Sequence, residues 1–140
     1  AQVTSELAYE RSGPERFLSA FRVFVELVRA CGQHPAPHEA AAIGRIASHI
    51  MTMRRMSISV AGMLENSKDV VVEAALVKEL GNNFEKVLPE IARLAAPIGA
   101  SRGAFRETFE ETLLLSPSFT LRGGTREILR GVIARGLGLR

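Results

Sequence analysis

The residues with most chemical potential stand near the end of the sequence, in Gly123-Gly124-Thr125-Arg126-Glu127-Ile128-Leu129-Arg130, followed by Ile133-Ala134-Arg135. Two glycines let a backbone approach a ligand closely, and a threonine then opens a helix whose free amides favour an anion or a polar oxygen. The same string also describes an ordinary helix start, with a glycine turn, Thr125 as N-cap and Glu127 complementing the helix dipole. Other candidates are thinner. His34, His38 and His49 lack metal-ligand spacing, because prolines separate the first two and no cysteine or carboxylate cluster completes a set. No metal is expected. Cys31 falls at a helix C-terminus, where the dipole disfavours a thiolate, so it reads as a buried structural thiol. Met51, Met53, Met56 and Met63 read as adaptable core filler.

The elements that position these residues are helical throughout, since apolar residues recur with a 3.6-residue period and no stretch sustains strand alternation. Ser12, Gly13 and Pro14 supply a cap and a first-turn proline. A helix carrying Phe17, Leu18, Phe21, Phe24, Val25 and Val28 then runs to about Gly32, and residues 32–37 form a loop. From His38, a long amphipathic helix follows Ile43, Ile46, Ile50, Met53, Val60 and Leu64, until Asn66 and Ser67 break it. Ser67 caps the next helix, with Asp69 at its positive end. That third helix carries Ala74, Leu76, Leu80, Phe84, Val87, Ile91 and Leu94. Pro89 inside it predicts a kink or a restart. Residues 96–103 read as a connector, 104–115 as a short helix and 116–124 as a loop. A last helix from Thr125 has Ile128, Leu129, Val132, Ile133 and Leu137 on one line and Arg126 and Arg130 on another. The fold class is all-α: a four-helix-bundle-like, up-down arrangement forming a single domain over residues 1–140.

Composition agrees with a globular chain: 140 residues, 46% hydrophobic and 24% charged, exclude wholesale disorder, and a single cysteine excludes an internal disulfide. The net charge of +3 is local, because residues 122–140 hold five arginines against Glu127 alone. With no Trp and only Tyr9, the body of the domain lacks the basic face and stacking aromatics of a nucleic-acid binder. No window approaches the roughly 18 apolar residues of a membrane span, and the first eleven residues do not read as a signal peptide. A cytoplasmic protein is expected, with neither nucleic acid nor membrane as a partner.

Gly-Gly-Thr-x-Glu-Ile-x-Arg with the following Ile-Ala-Arg resembles the C-terminal signature of acyl-CoA dehydrogenases, flavoenzymes that introduce an α,β double bond into a CoA thioester. Two further strings agree in order and spacing. Glu10-Arg11-Ser12-Gly13-Pro14-Glu15-Arg16-Phe17-Leu18 is similar to the start of that family's C-terminal helical domain, and Ala74-Ala75-Leu76-Val77-Lys78 to its Lys-bearing third helix. The resemblance covers this helical domain only; the family's N-terminal helical and β-barrel domains have no counterpart here.

The resemblance implies a domain that contributes the base and an oligomer interface, as dimer or tetramer, to an FAD-dependent enzyme acting on acyl-CoA, and that is inactive alone. Such an enzyme needs a carboxylate to take the α-proton, amide donors for the thioester oxygen and a flavin to accept hydride. Many members place the base immediately before the Gly-Thr pair, where this sequence has Gly123. A subset supplies it from the start of the first C-terminal helix, and Glu15 matches that location. Glu15 also has capping-box spacing from Ser12, a purely structural use. By the same analogy, Gly123 presents its amide to the thioester carbonyl, Gly124 lines that pocket, and Thr125 and Glu127 contact FAD. The family's Arg-x-x-Phe-Gly and Gly-Gly-x-Gly-Tyr strings are absent. On that absence rests the competing expectation, a non-catalytic helical interaction or oligomerisation module. A third, binding to anionic surfaces, rests on Arg126, Arg130, Arg135 and Arg140.

Overall fold

The computed structural model describes residues 2–139, with side chains throughout except at 2–5, 98 and 101. Seven α-helices and one 3-10 turn follow in order: α1 (Gln2–Ser12), α2 (Glu15–Leu18), α3 (Phe21–Cys31), α4 (Pro37–Glu65), α5 (Val71–Ala95), the turn Ile98–Ser101, α6 (Ala104–Phe119) and α7 (Arg126–Gly136). Among the described residues there is no strand, and no helix is long and apolar enough to cross a membrane.

The apolar stripes explain the packing. Helices α3, α4, α5 and α6 close a ring of contacts, while α1, α2 and α7 lie on α5. Val23 and Leu27 of α3, Ile46 and Met53 of α4, and Ala74, Val77 and Leu88 of α5 meet in one core. Burying each larger aliphatic side chain contributes about 1.5–3 kcal/mol. Helix α5 is central because residues around much of its circumference are buried, from Ala74 through Lys78, Gly81, Phe84 and Glu85 to Ala92.

Several predicted boundaries move, each for a local reason. Residues 2–12 form a helix that the periodicity missed, since its sequence carries no apolar stripe. It is held by polar contacts: Ser57 Oγ donates to Ser12 O at 2.5 Å, and Arg11 Nε to Gly123 O at 2.8 Å. The predicted first helix is divided at Ser19, whose hydroxyl donates to Glu15 O at 2.7 Å, a back-bond that bends helices. Ser12 ends α1 and bonds to Ala8 O, so it makes no capping box with Glu15. Ser67 adopts a left-handed φ of 55°, and Asp69 rather than Ser67 serves the start of α5, accepting from Val71 N at 3.2 Å.

The prolines also differ from expectation. Helix α5 runs through Pro89 without a restart, the ring being fully buried among core residues. Helix α6 continues past residue 115 to Phe119 with Pro117 inside it. A proline there leaves the Leu113 carbonyl without its helical donor, and Ser116 Oγ supplies one at 2.9 Å. Cys31 is half-buried rather than buried, with its thiol pKa pushed up by burial and by Glu39. Met53 is in the core, Met56 and Met63 pack against it, and Met51 is exposed.

Helix α2 packs closely on α5 at Gly81. A Cβ on Gly81 would lie 2.9 Å from Arg16 Cβ and 3.2 Å from Arg16 O. Gly81→Ala therefore forces α2 away from α5. We expect a loss of about 1–3 kcal/mol despite alanine's better helix propensity, read as a lower midpoint in urea unfolding with an unchanged slope.

Candidate functional site

The diglycine turn depends on glycine at both positions, with φ of 67° at Gly123 and 111° at Gly124. It lies against the end of α1 and the first half of α5. A Cβ on Gly123 would stand 3.2 Å from Arg11 Cγ and 3.7 Å from both Glu10 Oε1 and Lys78 Cε. The Arg11 guanidinium anchors the turn by donating to the Gly123 carbonyl. A carboxylate, a guanidinium and a buried ammonium thus surround the turn.

Behind it lies a buried polar cluster on the inner face of α5. Lys78 is fully buried, and its Nζ donates to Asn82 Oδ1 at 2.7 Å and to Phe119 O at 2.9 Å. The second bond ties the 119–124 segment to α5. Glu85, also fully buried, sits 3.4 Å from Arg122 Nη2, which also donates to Ser19 Oγ at 3.3 Å. The Arg122 guanidinium lies 5.4 Å from the centre of the Phe119 ring. Arg16, only 1% exposed, completes the group from α2.

Electrostatics follow from this burial. Desolvation, then repulsion from Arg16, lowers the Lys78 pKa to about 8, with Glu85 opposing. Burial raises the Glu85 carboxyl above its usual range, against the pull of Arg16, Lys78 and Arg122. Burial likewise lowers Arg16, partly offset by Glu85.

The predicted site residues distribute around this cluster. Gly123 and Gly124 form the turn itself. Glu15 opens α2 but is exposed, and its Oε2 lies over Gly13, where an added Cβ would collide with it. The carboxylate brought to Gly123 is that of Glu10, one helix earlier. Thr125 is the N-cap residue of α7, although its hydroxyl makes no cap bond. The exposed Glu127 carboxyl is held below its ordinary pKa, first by its own backbone amide and then by the Thr125 hydroxyl. Arg126 and Arg130 both reach Glu79, at 2.7 and 3.0 Å, and so fasten α7 to α5. Burial raises the Glu79 carboxyl, but these two arginines outweigh it and hold the group below its usual range. That commitment removes two of the four cations on which binding to an anionic surface rested; Arg140 lies outside the described residues.

Clefts of 360 and 390 Å³ open around Pro97, Ala100 and Phe105 instead. They lie past the end of α5, about 25 Å along its axis from Lys78 at 1.5 Å per residue.

Periodicity alone did not single out Arg16, Asn82, Glu85 or Arg122, nor Glu10 as the carboxylate beside the turn. A signal for part of the cluster was present. Lys78, Asn82 and Glu85 stand at i, i+4 and i+7, in line with Ala74, Gly81 and Leu88, so polar residues occupy the core face of a helix. No family model, curated protein or solved structure matches the chain.

The depressed Lys78 pKa carries a prediction of definite sign. Between pH 8 and about 10.4, the usual lysine value, the unfolded chain holds a proton that the folded chain has released. Stability from this group therefore rises with pH across that window, and below it the cost of burying the cation is felt in full. Lys78→Met removes the effect. The difference in unfolding free energy between parent and variant should grow in the parent's favour from pH 8 to 10, measured by urea denaturation, and be flat below pH 7.

Proposed function

We propose that the chain is the C-terminal helical domain of an FAD-dependent, acyl-CoA dehydrogenase-like oxidoreductase, which removes the α-proton and β-hydride of an acyl-CoA thioester. Catalysis requires the enzyme's other two domains, and the bundle is of that family's C-terminal type. The observation that carries this reading is the meeting of Glu10 and the Gly123-Gly124 turn. The reaction needs a carboxylate and a closely approachable backbone amide beside one substrate carbon. Glu10 Oε1 lies 3.7 Å from the Cβ position of Gly123, and the turn carries no side chain to obstruct a thioester.

Within this reading, Glu10 takes the base's role that the resemblance implied for Glu15. What favours Glu10 is its distance from the turn; Glu15 lies over Gly13. Arg11 positions the turn by holding the Gly123 carbonyl. Thr125 and Glu127 stand next along the chain and would contact FAD. FAD supplies the hydride acceptor when bound, and no residue of this chain is asked to do that. Exposed Leu114, Leu115 and Leu121, at 82%, 50% and 71%, are suited to self-association as dimer or tetramer. The same leucines, with the missing cofactor strings, favour the second reading, a non-catalytic helical interaction module.

Exchange of the acyl-CoA α-proton in deuterated buffer, followed by mass spectrometry on the full-length protein, separates these cases. The parent should exchange and carry the flavin absorbance. Glu10→Gln should slow exchange roughly 100-fold or more with the absorbance retained, and Glu15→Gln should leave it within about threefold. Loss in Glu15→Gln alone would return the base to Glu15. A parent that binds no flavin and exchanges nothing would leave the interaction module.

A further inference from the structure

We propose that the outer groove between α4 and α5 is a docking surface for a second copy of this chain, turned end for end about a two-fold axis. The groove holds two clefts, of 320 and 140 Å³. On α5, Ile91, Leu94 and Ala95 line the first and Glu73, Leu76 and Val77 the second, so each residue of one set has its counterpart 18 positions away. The α4 walls repeat that offset, Ala42 answering to Val60 and Arg45 to Met63. Eighteen residues are five whole helical turns, about 27 Å, so both clefts open on one face of both helices. The stacked rings of His49 and Phe84 lie between them.

Apolar side chains run along this face without cover. On α5, Leu80 and Leu94 are 45% and 73% exposed, and Leu76, Val87 and Ile91 are half-buried. A second apolar surface laid on the stripe removes it from water.

Charge selects the occupant. Among the described residues, Arg45 lines the first cleft with no acid beside it, and Glu73 lines the second with no base. Neither forms an ion pair among the described residues. A groove positive at one end and negative at the other is its own complement when reversed. The two-fold brings each Arg45 to the partner's Glu73, whereas a parallel copy would set like charges together. Reversal also lays Leu94 over the partner's 140 Å³ cleft, where Met56 and Met63 can adapt to an aliphatic side chain. The footprint, two helices wide, is roughly 500 Å² on each partner, near the lower limit for a specific complex, so a micromolar dissociation constant is expected. This face is distinct from that of Leu114, Leu115 and Leu121, and the inference holds whether or not the chain serves a flavoenzyme.

The test is sedimentation equilibrium of the 140-residue chain carrying Leu114→Gln and Leu121→Gln, which silence the other apolar face, with folding checked by circular dichroism. This background should dimerise. Adding Arg45→Glu or Glu73→Arg should weaken dimerisation about tenfold or more, since either change makes the two ends of the groove alike in charge. Mixed in equal amounts, these two variants should pair to within about threefold of the background, because every end then meets its opposite. Leu94→Gln should also remove the dimer. A background that stays monomeric at about 300 μM, charge variants that dimerise as it does, or a mixture that regains nothing would overturn the proposal. A parent that dimerises while the background does not would place self-association on the leucines of α6, and a parent that is monomeric would leave the groove to a different molecule.

Discussion

The structure turns on the burial of the Lys78 ammonium in the first half of α5. An ammonium taken out of water is tolerated only when hydrogen-bonded and balanced, and each of its partners constrains a different part of the chain. Asn82 fixes one turn of α5, the Phe119 carbonyl fixes the exit of α6, and Glu85 brings in Arg122 and Arg16. The segment that leads into the diglycine turn is thereby held from inside. Arg11 then holds the turn from outside. A turn with positive φ at two successive residues has few contacts of its own, so its position is inherited from these charged anchors.

Aliphatic burial and buried polarity therefore divide the work. Leu27, Ile46, Leu88 and Leu129, all with no exposure, supply nonspecific cohesion that many helix arrangements would share. The polar cluster discriminates among arrangements, because a shifted register would leave Lys78 or Glu85 buried without a partner. Glu79 acts similarly at the surface, where two arginines on successive turns of α7 share one carboxylate. This arrangement sets the rotation of α7, and with it the direction in which Thr125 and Glu127 face.

What was legible in the sequence was the part governed by period. Helices α4, α5 and α7 follow from their apolar stripes, and glycine at 123 and 124 announces a turn that other residues would strain. Helix α1 was not legible, since its apolar residues form no stripe, Ala8 being buried and the adjacent Tyr9 exposed, and tertiary contacts hold it. The end of α6 was hidden by Pro117, because no rule of period anticipates that Ser116 will serve the carbonyl the proline leaves free. The choice between Glu10 and Glu15 was likewise closed to spacing: Glu10 lies within α1 and Glu15 opens α2, and only the packing of α1 on α5 brings one of them to Gly123.

The dependence of the fold on a buried, perturbed ammonium is most directly tested by heteronuclear NMR of the chain labelled in its three lysines, Lys68, Lys78 and Lys86. The account predicts that the Lys78 Nζ resonance titrates near pH 8, shows slow proton exchange and couples across hydrogen bonds. A Lys78 resonance that titrates at the ordinary lysine value of about 10.4 with fast exchange would contradict it, since Lys78 would then be in water and the turn would have no internal anchor.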